Sequence, residues 1–285
     1  MTPIDQTRAE AEALAGDLPG LLLEAKRLAA AAPGVHGRRR AGQGEAFWQY
    51  RDHRPEDGAR LVDWRRSARG ERFYVRERER EAAQTALFWL DPAAGFDWRA
   101  DASLPTKRRR ALVLCLALAT LLTRGGERVG ALGAGPTRAG PRATDQLALD
   151  LLRAQNPKPA APPARACVII ASDFYLPVAE WRTRLAPLAS AGASGALLMI
   201  ADPAEEDFPF EGRTLFQDLG GGKSEVLLGR AESARDAFRQ RLEEHRHDLR
   251  EMARALGFLL LIHRTDKPAT PTFALLAASL SERAG

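Results

Sequence analysis

Apolar side chains recur at helical spacing near the start of the chain, where Leu14, Leu18, Leu21, Leu22, Ala25 and Leu28 form one stripe. Pro19 falls near a helix start and Pro33-Gly34 closes the pattern, so this region reads as one or two helices. Past residue 84 the pattern alternates. Short strand-like runs lie at 85–90, 128–132, 166–171, 195–201 and 258–263. Helix-like runs at 107–122, 144–153, 177–191 and 232–256 fill the gaps, the last carrying a stripe of Phe238, Leu242, Leu249, Met252 and Leu256. Such alternation predicts an α/β fold with a doubly wound, mostly parallel sheet. The proline-rich piece 156–163 reads as a surface connector, and no internal repeat is present.

Between these regions the periodicity gives way to turn residues, Pro55, Asp57, Gly58 and Gly70, which separate short aromatic and β-branched groups. A small β-rich piece is expected there. Residues 51–81 hold ten arginines, no lysine and eight acidic residues, interleaved with Trp64, Phe73 and Tyr74. Guanidinium groups pair in a plane with carboxylates and stack on rings, so arginines beside Asp52, Asp57 and Asp63 predict a folded ionic lattice. Arginine outnumbers lysine 37 to 5 along the whole chain, so the missing lysines here also reflect general usage. If residues 73–81 are extended, Arg76, Arg78 and Arg80 share one face and the glutamates the other. Three segments follow: a helical 1–34, a charged β-rich 35–83 and an α/β domain 84–285.

Composition narrows the function classes. An apolar content of 45% over 285 residues supports a substantial core, and a net charge of +5 with mixed signs speaks of solubility. Cys115 and Cys167 lie in apolar runs without CxxC spacing, which suits buried thiols in a reducing compartment. The start of the chain lacks the order of a signal peptide. The longest apolar run, 111–122, falls short of the roughly 20 residues of a membrane span. A cytoplasmic location is expected. Gly222-Lys223-Ser224 ends like a phosphate-binding loop, but Gln217 stands where its first glycine is needed. Gly133 and Gly135 begin a dinucleotide fingerprint that Arg138 breaks, so this segment reads as a turn. His245 and His247 are two apart on a helix, not the four apart of a zinc pair, and His245 reads as a packing residue. Ser67 and Ser172 lack a nucleophile elbow, and Arg38 to Arg40 read as a solvated loop.

Residues 42–69 carry a denser signal. Gly42, Gly44, Glu45, Phe47, Arg51, Pro55, Asp57, Arg60, Asp63, Trp64, Ala68 and Arg69 match the pattern of a bacterial family. The chain resembles domain-of-unknown-function family 58, with His53 in place of an aromatic residue and Glu56 in place of a glycine. The resemblance covers most of the chain after about residue 15. It implies a von Willebrand factor A-like domain and a partner among MoxR-type AAA+ ATPases, beside which family members are often encoded. Other von Willebrand A proteins are implied as further partners.

In that fold Mg²⁺ sits where the first strand ends, on Asp-x-Ser-x-Ser, a threonine and a later aspartate. The resemblance therefore implies a degenerate metal site of Asp91, Asp173 and Thr144, in which Ala93 and Gly95 replace both serines. The carboxylates are expected to cap helices and satisfy loop amides, leaving the chain without a cofactor. Together these readings predict a non-enzymatic adaptor acting with a MoxR-type AAA+ ATPase. The partner surface is expected to combine residues 42–69 with the loop at Asp91. Trp64 and Asp63 would hold the segment while Arg65 or Arg66 meets the partner. The alternatives are a metal-dependent hydrolase using Asp91 and Asp173, which needs convergent ionisable groups in one pocket, and nucleic-acid binding, which needs arginines on one unpaired face.

Overall fold

The computed structural model describes residues 18–31, 47–52, 62–68, 70, 72–78, 85–217 and 225–283. They fall into two compact units, one comprising 18–31 with 85–283 and the other the residues of 47–78. In chain order the elements are α1 (Leu18–Ala31), β1 (Phe47–Asp52), α2 (Trp64–Ser67), β2 (Tyr74–Arg78), β3 (Thr85–Leu90) and α3 (Lys107–Arg124). Next come β4 (Arg128–Ala131), β5 (Ala134–Arg138), α4 (Ala143–Arg153), β6 (Cys167–Ser172), α5 (Val178–Ser190) and β7 (Ser194–Ala201). The last are α6 (Pro203–Asp207), β8 (Thr214–Gln217), β9 (Glu225–Leu228), α7 (Arg235–Ala255), β10 (Phe258–Arg264) and α8 (Ala269–Arg283).

The larger unit is built on a six-stranded sheet of order β10-β7-β6-β3-β4-β5, parallel except for β5. Numbered along the chain, the strands run 6-5-4-1-2-3, the doubly wound order that reverses beside the first strand. Its central strands β3, β6 and β7 are buried on both faces, as a sheet covered by helices requires. In β3, Ala86, Phe88 and Leu90 face the core shared with α1, α3, α4 and α8, while Leu87 and Trp89 face the core shared with α5 and α7. Helix α3 is apolar nearly all round because α1 covers the side turned away from the sheet.

The predicted strands and helices of this unit are present, with boundaries moved by no more than three residues. The segment read as a turn at Gly133 is a turn and also starts the edge strand β5. Gly133 has φ +74°, and a Cβ there would meet Ala160 at 2.8 Å. The hairpin β8–β9, the short helix α6 and the closing helix α8 are additions to the predicted set. Both cysteines are free; Cys115 is buried among apolar side chains, which pushes its thiol up to about 12. Among the described residues no helix is long and apolar enough to cross a membrane.

Candidate functional site

Strand β3 pairs in register with β6, Leu90 opposite Ala171, although α3, β4, β5 and α4 intervene in the chain. The order of the strands thus reverses between β3 and β6, and doubly wound folds hold ligands at the carboxyl ends of the strands beside such a reversal. Asp91 follows β3 and Asp173 follows β6, so the structure brings the two predicted carboxylates to one edge. Asp91 is 4% exposed. Its Oδ1 accepts from the Ala93 amide (2.9 Å) and its Oδ2 from the Ser172 hydroxyl (2.6 Å), while its own amide donates to Ala171 O (2.9 Å). Burial pushes this carboxyl above the usual range, against the pull of those two hydrogen bonds, and the neighbouring Asp173 adds to the rise.

Asp173 looks the other way. Its Oδ1 accepts from the Tyr175 amide (3.3 Å) and its Oδ2 from the Lys107 ammonium (3.0 Å). Lys107 is 1% exposed and donates also to Glu205 Oε1 (2.5 Å), with the rings of Tyr175 and Trp98 at 5.4 and 6.0 Å. Burial alone would lower this ammonium, but Asp173 and Glu205 overcome it and raise the group, so it stays charged. Burial pushes Glu205 upward against the pull of Lys107. Glu205 is itself fixed by a capping box: its Oε2 accepts from the Asp202 amide (3.0 Å), and Asp202 Oδ1 accepts from Ala204 N (2.9 Å).

The next residues extend this ionic edge. Glu206 meets Arg246, and Asp207 accepts two bonds from Arg264, 2.9 and 2.8 Å. Arg108 Nε donates to both oxygens of Asp97 (2.7 and 2.8 Å), and its Nη2 donates to Ala93 O (3.2 Å), which fastens the loop after β3 to α3. The sequence predicts part of a partner surface on that loop. Asp91 itself is buried, while Ala93 and residues 99–103 of that loop are exposed.

These residues do not fit Mg²⁺. Asp91 directs its oxygens at a hydroxyl and an amide, and Asp173 directs one at an ammonium that would repel a divalent ion. Thr144 is buried in the first turn of α4. Among the described residues no three metal-ligating side chains cluster. Instead, a protein cation serves the aspartate that the resemblance would give to the metal.

Sequence reasoning missed Lys107 and Glu205. Two signals pointed to them. A lysine at the first position of a helix sits against the dipole and needs a carboxylate nearby. Asp202-Pro203-Ala204-Glu205 is also a capping-box spacing.

The smaller unit pairs β1 with β2 antiparallel, Asp52 opposite Tyr74 and Arg51 opposite Val75. Asp63 ties it together. Its Oδ1 accepts from Arg66 N (3.1 Å) to cap α2, and its amide donates to Tyr74 O (2.8 Å); the Tyr74 amide donates to the Ser67 hydroxyl (2.9 Å). Trp64, expected to help hold the segment, is 58% exposed and meets Phe73 edge-on at 5.8 Å, a surface contact. Arg65 and Arg66 are exposed, as expected, and the Arg66 guanidinium lies 5.3 Å from the centre of the Tyr74 ring. Arg72 and Asp52 approach to 3.9 Å on the surface. The Arg51 side chain, Asp57, Arg60 and Arg69 lie outside the described residues, as do Arg38 to Arg40 and Gly222-Lys223-Ser224.

Residues 49–248 match the family described as "Protein of unknown function DUF58". Uncharacterized protein Rv1480 of Mycobacterium tuberculosis is 29% identical over 250 residues, covering 79% of this chain and 76% of that protein. Uncharacterized protein Mb1516 of Mycobacterium bovis matches to the same extent. The crystal structure of conserved hypothetical protein BatB from Bacteroides thetaiotaomicron aligns with TM-score 0.40 and 15% identity, covering 71% of this chain and 99% of that one.

Proposed function

The chain belongs to the family described as protein of unknown function DUF58, and on that premise we propose a non-enzymatic adaptor that acts in the cytoplasm with a MoxR-type AAA+ ATPase, in chaperone-like work or complex assembly. The observation that supports this reading is the paired state of the sheet's carboxyl edge. A general base needs a free acceptor within reach of substrate. Here Asp91 is buried against Ser172, while Asp173 and Glu205 are clamped on Lys107. Such an edge is a rigid support for the loops around it, and binding surfaces are carried on loops held by rigid scaffolds. The hydrolase alternative draws no support, because the cavity beside this edge is lined by Glu205, Tyr175 and His245, without Asp91 or Asp173. Arg65 and Arg66, exposed on α2, are the side chains we assign to the ATPase.

The test is co-expression of the full chain with a MoxR-type ATPase of the same host, followed by affinity co-purification. Association is expected to persist in EDTA and to be lost in the double variant Arg65→Glu, Arg66→Glu, whose circular dichroism stays that of the parent. An undiminished association of the folded double variant would move the interface elsewhere. Absence of association would overturn the partner assignment, and esterase or phosphatase turnover lost in Asp91→Ala would restore the enzyme reading.

A further inference from the structure

Beside the ionic edge lies a cavity of about 700 Å³, within the roughly 300–1,000 Å³ of sites that bind ligands. It is formed between the segment after α6, the hairpin β8–β9 and helix α7. Its wall is a cluster of four phenylalanines: Phe208 packs on Phe210, Phe216 and Phe238 with ring centres 4.8 to 5.5 Å apart. Phe208 caps α6 with φ +47°, a left-handed conformation that a bulky residue adopts only when its surroundings hold it there. The rings are thus locked together as a preformed wall.

Two features show what the cavity takes. The first is continuity with exposed apolar surface. Strands β8 and β9 form an isolated ribbon, with Leu215 opposite Leu227 and Phe216 opposite Val226. Leu215, Val226 and Leu227 are each about half exposed, and Leu215 also lines the cavity. An apolar patch that runs out of a cavity onto an unpaired ribbon is larger than a small molecule inside the cavity would cover. The second is charge. Of the carboxylate and guanidinium groups lining the cavity, Glu205 is held by Lys107, which it shares with Asp173, whereas Arg241 has no carboxylate partner among the described residues.

We propose that this cavity and ribbon dock an amphipathic, acidic segment of a partner protein, its apolar side chains entering among the phenylalanines and its acidic groups meeting Arg241. The surface is distinct from Arg65 and Arg66, so it gives the adaptor a second contact. Its fate does not depend on the ATPase association. The segment follows the groove-binding mode, in which anchors spaced along one face fill pockets while charges at the rim choose the partner.

The experiment pans a phage library of random peptides, about 12 residues long to span the anchor spacing of a bound helix, on the immobilised full chain. Enriched peptides are expected to combine Leu, Phe or Trp on one face with Asp or Glu. Synthesised winners, read by fluorescence anisotropy, should bind about tenfold more weakly to Arg241→Glu and lose binding to Leu215→Asp. Both substitutions are at exposed positions, and thermal melts matching the parent show that the fold is kept. No enrichment, winners indifferent to charge, or winners unaffected by both variants would overturn the proposal. Decanoate binding in the cavity without any peptide enrichment would assign it to a small amphiphile and overturn it equally.

Discussion

The carboxyl edge of the sheet and the arginine-rich smaller unit are both dense in charge, yet they use it in opposite ways. At the edge, Lys107 is 1% exposed and its carboxylates under 20%; in the smaller unit, the Arg72 and Asp52 side chains are 75% and 65% exposed. Water screens the second pair, so it is worth little. The first is held where a lone charge would be costly, so each member depends on the others. Charge density along the chain therefore says little about energy. Burial decides it, and burial sets which region is scaffold and which is surface.

The sharpest way to break this contrast is Lys107→Ala. It leaves Asp173 and Glu205 partly buried without their cation and is expected to cost about 3–5 kcal/mol in urea unfolding. Arg72→Ala should stay within about 0.5 kcal/mol of the parent. Equal effects of the two would erase the distinction between the regions.

A second contrast is pH. His263, buried on β10, is lowered to about 4, first by burial and then by Arg110, and its Nδ1 lies 2.9 Å from the Thr272 hydroxyl. Its folded value lies below the unfolded 6.5, so the unfolded chain binds the proton more readily. Stability is thus complete above pH 6.5 and lost as the pH falls toward 4. Raised carboxyls such as Asp91 work in the opposite direction, so the measurement is the parent profile minus that of His263→Gln. That difference should shrink by about 3 kcal/mol across the window, because a proton bound only by the unfolded chain costs about 1.4 kcal/mol for every pH unit crossed. A flat difference would show that His263 stays hydrated.

A smaller effect than at Lys107 or His263 is expected at Asp63. Its side chain is partly exposed and caps a single helical turn. The cap sets the scale at about 1 kcal/mol, read as a modest fall in the midpoint of urea unfolding. A loss several times larger would show that contacts of Asp63 beyond the cap carry as much energy as those at the edge.

The sequence by itself determined the alternating elements, the parallel sheet and the placing of Asp91 and Asp173 at strand ends, because two-residue and 3.6-residue periodicities are local properties of the chain. It also carried the family pattern in residues 42–69. The edge strand β5, with its proline and glycine, and the small-residue helix α8 left weaker periodic signals and were not predicted. What serves those carboxylates was decided only by tertiary structure. Lys107 and Glu205 are 98 residues apart, and no spacing rule connects them. The sheet's reversal beside β3 brings the start of α3 against the capping box of α6, and burial there gives a lysine the place that the family resemblance would assign to a metal ion. The same folding gathers Phe208, Phe210, Phe216 and Phe238 from three elements into one wall, a contact that the hydrophobic pattern of each element alone does not contain.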